Sequence, residues 1–298
     1  MKLLITGATG YLGSALQRDL SKYYPIRGTY NKKAYPHLLP LDTTDLEQVR
    51  NTFATVNPDV VIHCAGIRLG KFNEDPGEGR LINLAGTRNI IKGVQSVGAS
   101  LIYISSQSVF DGRVGAFTEK DQPMALTEFS KTKIEGEQMV QSLTSPYCLM
   151  RPSLVVGQAP YGMDGQLFGQ IATALVSDSS LKLDNKWRFN LSWNRQISEV
   201  IHWWIEGQTR PDILHVGSAE TMTLLELGRK LSLTLKKDPA LFREDTTTPD
   251  RQESTLNCDK LKTLDAPVLS LDEMITTIAH EIRDPRTVEG TIKRKEVY

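Results

Sequence analysis

Leu3-Leu4-Ile5-Thr6-Gly7-Ala8-Thr9-Gly10-Tyr11-Leu12-Gly13 stands at the start of the chain, an apolar run that enters a turn punctuated by glycines. It reads as a short buried strand, a tight turn and a helix over residues 14–20, the opening of a dinucleotide-binding unit. Glycines there let the backbone approach a pyrophosphate, whose charge meets the N–H groups and positive dipole end of the helix. Gly7, Thr9, Gly10, Tyr11, Leu12 and Gly13 are the first cofactor-binding candidates. An ordinary strand-to-helix turn carries the same glycines, so the rest of the chain must decide.

A second strand is predicted over residues 26–30, and it ends in Asn31-Lys32-Lys33. An acidic residue there would bind the ribose hydroxyls of NAD, whereas cationic side chains suit the extra phosphate of NADP. Asn31, Lys32 and Lys33 therefore favour NADP(H), with NAD(H) as the alternative; the competing reading is a solvated loop tip. Thr44 is the expected N-cap of a helix running to about residue 53, which Asn57-Pro58 stops. Residues 59–66 form a continuous apolar strand ending in Cys64-Ala65-Gly66, small residues suited to close approach of a cofactor. His63 within it reads as a packed core histidine, since no acidic or cysteine neighbour stands at metal-ligand spacing. A helix over 81–97, closed by Gly98, and a strand over 101–104 follow. This alternation predicts an α/β fold: a doubly wound parallel sheet of Rossmann type with helices on both faces.

Composition narrows the function. Hydrophobic residues make up 40% and charged residues 23% of the 298 positions, an ordinary globular balance that can bury one large core or two unequal ones. Lys plus Arg and Asp plus Glu both number 35, so no surplus charge points to nucleic acid or an anionic membrane. A small-molecule substrate is expected. Cys64, Cys148 and Cys258 are too scattered for a disulfide framework or a metal cluster. No apolar run approaches membrane-spanning length, and with Met1 already at the edge of a core strand no signal peptide is expected; the cytoplasm is the expected location.

Beyond the strand at 101–104 lie Ser105-Ser106-Gln107-Ser108-Val109-Phe110-Asp111-Gly112 and, on a predicted helix, Phe129-Ser130-Lys131-Thr132-Lys133-Ile134-Glu135-Gly136-Glu137. With these the chain resembles the extended short-chain dehydrogenase/reductases, and within them the dTDP-4-dehydrorhamnose reductases and their relatives, including the regulatory beta subunit of methionine adenosyltransferase. The resemblance spans nearly the whole chain. It rests on the glycine turn, the Leu41-Asp42 pair, His63-Cys64-Ala65, Asn83 with Gly86-Thr87, the strand end at 105–112, the helix carrying Lys133, and Arg151-Pro152-Ser153. Asp42 and Lys133 thereby join Cys64, Ala65 and Gly66 among the cofactor-binding candidates.

In that family a tyrosine four residues before a lysine gives a proton to the substrate carbonyl oxygen while nicotinamide delivers hydride to its carbon. The lysine lowers the tyrosine pKa and holds the ribose, and a strand-end Ser or Thr hydrogen-bonds the same oxygen. Lys133 matches the lysine, Ser106 the hydroxyl residue, and Phe129 the tyrosine, so the catalytic candidates Ser106, Phe129 and Lys133 lack the family's general acid. A positioned acid is worth roughly 10²- to 10⁴-fold in rate. Ser106, Ser108, Glu128 and Ser130 are the substitute donors nearest in sequence. Three accounts stay open: an enzyme with a substitute donor, a binding protein that has lost catalysis, or a deliberately introduced Tyr-to-Phe change.

From Val155 the pattern loosens into a glycine-rich loop over 157–165 and a helix over 166–176, where the family carries its substrate lobe. Leu154 replaces a family aromatic, and Asp250-Arg251-Gln252 replaces an Arg-Pro pair ahead of Ser254-Thr255-Leu256. Segments near 196–217 resemble those that return to the first lobe. The expected organisation is a dinucleotide-binding domain over 1–153 and a smaller, sequence-interleaved substrate lobe over 154–298. Trp203 and Trp204 read as core and lobe-interface packing, and residues 289–298 as a loose tail or partner contact. The functional expectation is an NADP(H)-dependent reductase of a nucleotide-linked keto-sugar or similar carbonyl compound, with no metal. The alternative is a cofactor-binding pseudoenzyme or regulatory subunit, with a homodimer or a regulatory protein partner.

Overall fold

Alternate residues of Leu3-Leu4-Ile5 turn to opposite sides of one strand, and all three are fully buried, so the strand must lie inside a sheet covered on both faces. A computed structural model, which describes residues 1–163, 166–247 and 253–283, places it inside a sheet of seven parallel strands, next to the central one. These are β1 (Leu3–Thr6), β2 (Ile26–Tyr30), β3 (Leu39–Pro40), β4 (Val60–His63), β5 (Ser100–Ile104) and β6 (Tyr147–Pro152), joined later in the chain by a strand over Ile213–Val216. Registers such as Ile5 opposite Ile62 and Ile62 opposite Ile102 align their carboxyl ends. The strand order reverses between β1 and β4, and in open α/β sheets ligands bind in the crevice beyond such a switch point.

Helices cover both faces. α1 (Tyr11–Leu20) lies on the face of Leu3 and Ile5. α2 (Leu46–Val56) lies on that of Leu4, after which come the short α3 (Leu69–Glu74) and α4 (Pro76–Arg80). α5 (Thr87–Val97) and α6 (Glu128–Gln141) complete the Leu4 side with Ile90, Val94 and Val140. Asp45, not Thr44, caps α2: its carboxylate accepts from the N–H groups of Glu47 and Gln48, while the Thr44 hydroxyl is taken by Asp42. The helix expected over 81–97 is α-helical only from Thr87, and Leu81–Gly86 is a π-helical turn. There the Thr87 hydroxyl donates to the Asn83 carbonyl, and the Asn83 side chain is drawn sideways to the Ile67 N–H and the Thr132 hydroxyl.

A second core follows, built on the short sheet of β7 (Leu154–Val156), β9 (Phe189–Trp193) and β11 (Thr221–Met222), with β8 (Leu181–Leu183) paired to β12 (Phe242–Glu244). α7 (Leu167–Ser177), α9 (Leu224–Thr234) and α11 (Leu271–Arg283) pack on it. Between them the chain returns: α8 (Asn194–Glu206) packs against α1, and β10 (Ile213–Val216) pairs with β6, with α10 (Asp259–Thr263) nearby. Trp204 is fully buried in the α1-side core and donates its indole N–H to the Pro211 carbonyl. No helix among the described residues is long and apolar enough to cross a membrane. Asp250-Arg251-Gln252 and residues 289–298 lie outside the described residues.

Candidate active site

At the switch point the chain leaves β1 into the glycine turn. Gly7 has φ +69°, and a Cβ on it would lie 2.8 Å from the Ala65 Cα, so only glycine lets β1 and the end of β4 close on each other here. α1 starts at Tyr11 with Gly10 as N-cap and no side-chain cap. The Gly10 and Ser14 N–H groups bond to Gly7 and Gly10 carbonyls, leaving the N–H groups of the first helical turn for another acceptor. A diphosphate fits that donor set. Thr9 and Leu12 are half-buried beside it, and Gly13 is buried.

Around this turn a directional hydrogen-bond chain is fixed. The Ala65 N–H donates to Thr6 Oγ1 at 3.3 Å, and the Thr6 hydroxyl meets His63 Nδ1 at 2.7 Å. His63 Nε2 lies 3.1 Å from Thr87 Oγ1, whose proton is committed to the Asn83 carbonyl. His63 is therefore the neutral Nε2–H tautomer. Burial, and then the Lys133 charge, push it down to about 3. Its two nitrogens are occupied, which agrees with a core role, and among the described residues no group of His, Cys, Asp or Glu could hold a metal ion.

Lys133 lies at the carboxyl edge of the sheet. Its Nζ donates to the Ile104 carbonyl at 3.0 Å, sits 5.1 Å from the Tyr103 ring centre, and would be 3.9 Å from a Cβ on Gly66. Burial lowers its ammonium to about 8. Cys64 beside it is pushed up to about 12 by burial. Ser106 caps the short turn Gln107–Val109 by accepting the Ser108 N–H at 3.1 Å, which leaves its own hydroxyl proton free to donate outward. The hydroxyls of Ser105 and Ser108 are buried without a protein partner, and Gln107 is hydrogen-bonded to Ser153 beside Leu154.

Phe129 is 8% exposed and meets Phe72 of α3 edge-on, ring centres 5.8 Å apart. Of the substitute donors, Glu128 is exposed and paired with Lys131 and Arg80, and Ser130 is engaged with the Thr127 cap. Both are therefore engaged, whereas Ser106 lies at the end of β5 and the Ser108 hydroxyl is buried behind it.

The structure thus gathers the glycine turn, Cys64-Ala65-Gly66, Ser106 and Lys133 along one sheet edge. Asn31, Lys32 and Lys33 stand apart on the exposed end of β2. Lys32 is ion-paired with Glu78 of α4 at 2.7 Å, and Lys33 lies 5.7 Å from the Tyr35 ring. Asp42 is half-buried and accepts the N–H and hydroxyl of Thr44. Sequence reasoning missed the loop after β7. The Tyr11 phenol donates to the Gly157 carbonyl, Ser14 exchanges hydrogen bonds with Tyr161, and the Tyr35 and Tyr161 rings are 4.7 Å apart. Gly162 has φ +75°, and a Cβ there would lie 2.8 Å from the Gly10 carbonyl carbon, so this loop runs against the glycine turn itself. The only sequence signal for it was its glycine content.

Known proteins bear on this geometry. The RmlD substrate binding domain family matches residues 1–282. Methionine adenosyltransferase 2 subunit beta of Rattus norvegicus is 27% identical over 276 residues, covering 88% of this chain and 82% of that protein. A probable low-salt glycan biosynthesis reductase of Haloferax volcanii is 25% identical over 253 residues, covering 81% of this chain and 83% of its own. Among solved structures, dTDP-4-dehydrorhamnose reductase from Bacillus anthracis in complex with NADP superposes with a TM-score of 0.81 at 24% identity, covering 94% of this chain and 98% of that one. With the match running from the glycine turn to the end of α11, the chain belongs to the RmlD substrate binding domain family.

Proposed function

We propose that the chain is a nicotinamide-dinucleotide-dependent reductase of a nucleotide-linked keto-sugar or similar carbonyl compound, with NADP(H) as its cofactor. The observation that carries this reading is the ammonium of Lys133, held on the Ile104 carbonyl at the sheet edge near Gly66, on the same edge as a glycine turn whose helix has no side-chain cap. A protein that needed only its packed fold would gain little from burying a lysine there. When bound, the dinucleotide supplies or accepts a hydride at the substrate carbon. The N–H groups of the first turn of α1 would take its diphosphate, Ala65 and Gly66 would admit it closely, and Lys133 would hold the ribose. Ser106 donates to the carbonyl oxygen, while the buried hydroxyls of Ser105 and Ser108 line the wall and exclude bulk water. In this reading residues 1–153 bind the dinucleotide, and 154–298 supply most of the substrate lobe. The test follows loss of the reduced nicotinamide absorbance across a panel of keto-sugar nucleotides. Tight dinucleotide binding without turnover of any of them overturns it.

A second reading is a cofactor-binding regulatory subunit, favoured by the phenyl ring of Phe129, which is packed on Phe72 where a proton donor is expected. The relative from Rattus norvegicus is named as a subunit. Isolation of the protein from its host in stoichiometric complex with another enzyme, whose activity it alters, supports this alternative.

A further inference from the structure

We propose that Lys133 is itself the proton donor of this site, so that one residue both holds the dinucleotide and protonates the product oxygen. The inference rests on the reductase reading and specifies how it works without a tyrosine. It follows from what faces the carboxyl ends of β4 and β5. Reduction of a carbonyl needs one proton, and among the described residues the acids near Lys133 are each committed or too weak. The Glu137 oxygens both accept from Arg151, at 2.8 and 2.6 Å, behind the sheet edge. His63 is neutral with both ring nitrogens engaged. Tyr103 turns its hydroxyl towards Gly136 and Thr87, and burial pushes its phenol well above the usual range. Cys64 is a thiol held protonated by burial. Glu128 and Ser130 are spent in surface and cap contacts. Serine hydroxyls can relay a proton but cannot be its source near neutrality.

Lys133 remains, with one N–H on the Ile104 carbonyl, two residues before Ser106, and no other protein acceptor for its remaining protons among the described residues. Its acidity suits the task. Burial brings the ammonium to about 8, and a general acid is most effective when its pKa is near the working pH. The step balances. The carbonyl carbon accepts a hydride from a reduced nicotinamide dinucleotide, and the carbon–oxygen π pair moves onto oxygen. That oxygen, hydrogen-bonded by Ser106, takes a proton from Lys133 Nζ. Alcohol, oxidised dinucleotide and a neutral lysine result, and the lysine recovers its proton from water.

The experiment pairs kinetics with direct titration. Lysines of the wild type are reductively methylated with ¹³C-formaldehyde, and their methyl resonances are followed with pH without dinucleotide. The resonance missing from Lys133→Arg is expected to titrate near about 8 rather than at the ordinary lysine value of about 10.4. In turnover assays Lys133→Arg keeps a cation for the ribose but cannot release a proton. It is expected to bind NADPH within a few-fold of wild type and lose roughly 10²-fold or more in kcat. The wild-type rate of reduction is expected to fall about tenfold per pH unit above the titration point. Turnover retained by Lys133→Arg, a rate flat with pH, or a resonance titrating at the ordinary value each overturns the proposal. If Lys133→Arg does not fold, the wild-type pH profile and titration, assigned through Lys133→Met, still decide it. Absence of turnover in both the wild type and Phe129→Tyr, with dinucleotide bound, instead marks failure of the reductase reading, and the proposal falls with it.

Discussion

The phenol of Tyr11 donates to the carbonyl oxygen of Gly157 at 2.7 Å, tying the first turn of α1 to the loop that leaves β7. The Tyr11 ring lies in the second core with Phe168, Trp193 and Ile278, so one residue of the glycine turn joins the two packing units. Tyr11→Phe keeps the ring and removes the phenol partner of a buried carbonyl. It is expected to cost about 1–3 kcal/mol. A fall in the urea midpoint at unchanged slope is the supporting result, whereas an unchanged midpoint means that water replaces the bond.

Two buried histidines are expected to weaken the fold in acid. Burial, reinforced by the Lys133 charge, pushes His63 down to about 3. Burial and then the Arg151 guanidinium push His215 down to about 4, against partial support from the Asn257 and Phe117 carbonyls. In the unfolded chain both titrate near about 6.5. Below that value the unfolded state takes up protons that the folded state refuses, so stability rises with pH in this window and is lost as pH falls from about 6.5 through 4 towards 3. Glu281, raised by burial, acts oppositely: the stability it lends is present below its unfolded value and lost as pH rises. Between pH of about 7.5 and 5 each histidine is expected to remove about 2 kcal/mol. Urea melts of wild type and His63→Asn across this range should differ in slope with pH; parallel curves would show that His63 does not refuse its proton.

The proposed preference for NADP(H) rests on Lys32 and Lys33. Glu78 pairs with Lys32 at 2.7 Å, so its charge is partly answered before any phosphate arrives. Lys33, over the Tyr35 ring, has no ion-pair partner among the described residues. Lys33→Ala is expected to weaken NADPH binding several-fold with little effect on NADH, and Glu78→Gln to strengthen NADPH binding by removing a competing carboxylate. Titration calorimetry with both dinucleotides checks this, and equal losses for NADH and NADPH in Lys33→Ala would mean that the lysine does not meet a 2′-phosphate.

The doubly wound sheet was legible because its signals are local: the continuous apolar runs at 3–5 and 60–62, the glycines between strand and helix, and the cap at Gly98 with φ +66°. That Lys133 of α6 reaches the Ile104 carbonyl at the end of β5 joins two separate elements, and in sequence only the resemblance put them at one site. What stayed hidden is set by long-range contacts. The π-helical turn at Leu81–Gly86 depends on Asn83 reaching Ile67 and Thr132, and no helical periodicity shows such a widening. The placement of Gly162 against Gly10 joins residues about 150 apart in the chain, where only tertiary packing decides. Lys32 looked free in sequence because Glu78 comes to it from another helix.

Phe129→Tyr adds one hydroxyl four residues before Lys133, at a ring that is 8% exposed and packed edge-on against Phe72. To act, the added atom must leave that apolar contact and turn towards Lys133, where the proposed reaction places the substrate oxygen. If the surrounding geometry is that of a working reductase, the phenol takes over the proton transfer and raises kcat/KM by roughly 10²-fold or more. The pH profile should then move as well, because a phenol rather than an ammonium would set where the rate falls at high pH. An unchanged rate and profile in an active protein would show that the wild-type donor already suffices and that the new hydroxyl stays turned towards Phe72. No rate in either protein would point to a chain that binds its dinucleotide for another purpose. Measuring kcat/KM and its pH dependence for wild type, Phe129→Tyr and the double change with Lys133→Met separates these outcomes. The expected result is a gain that persists only while Lys133 is present, since a tyrosine introduced beside a buried ammonium is acidic enough to act only with that charge in place.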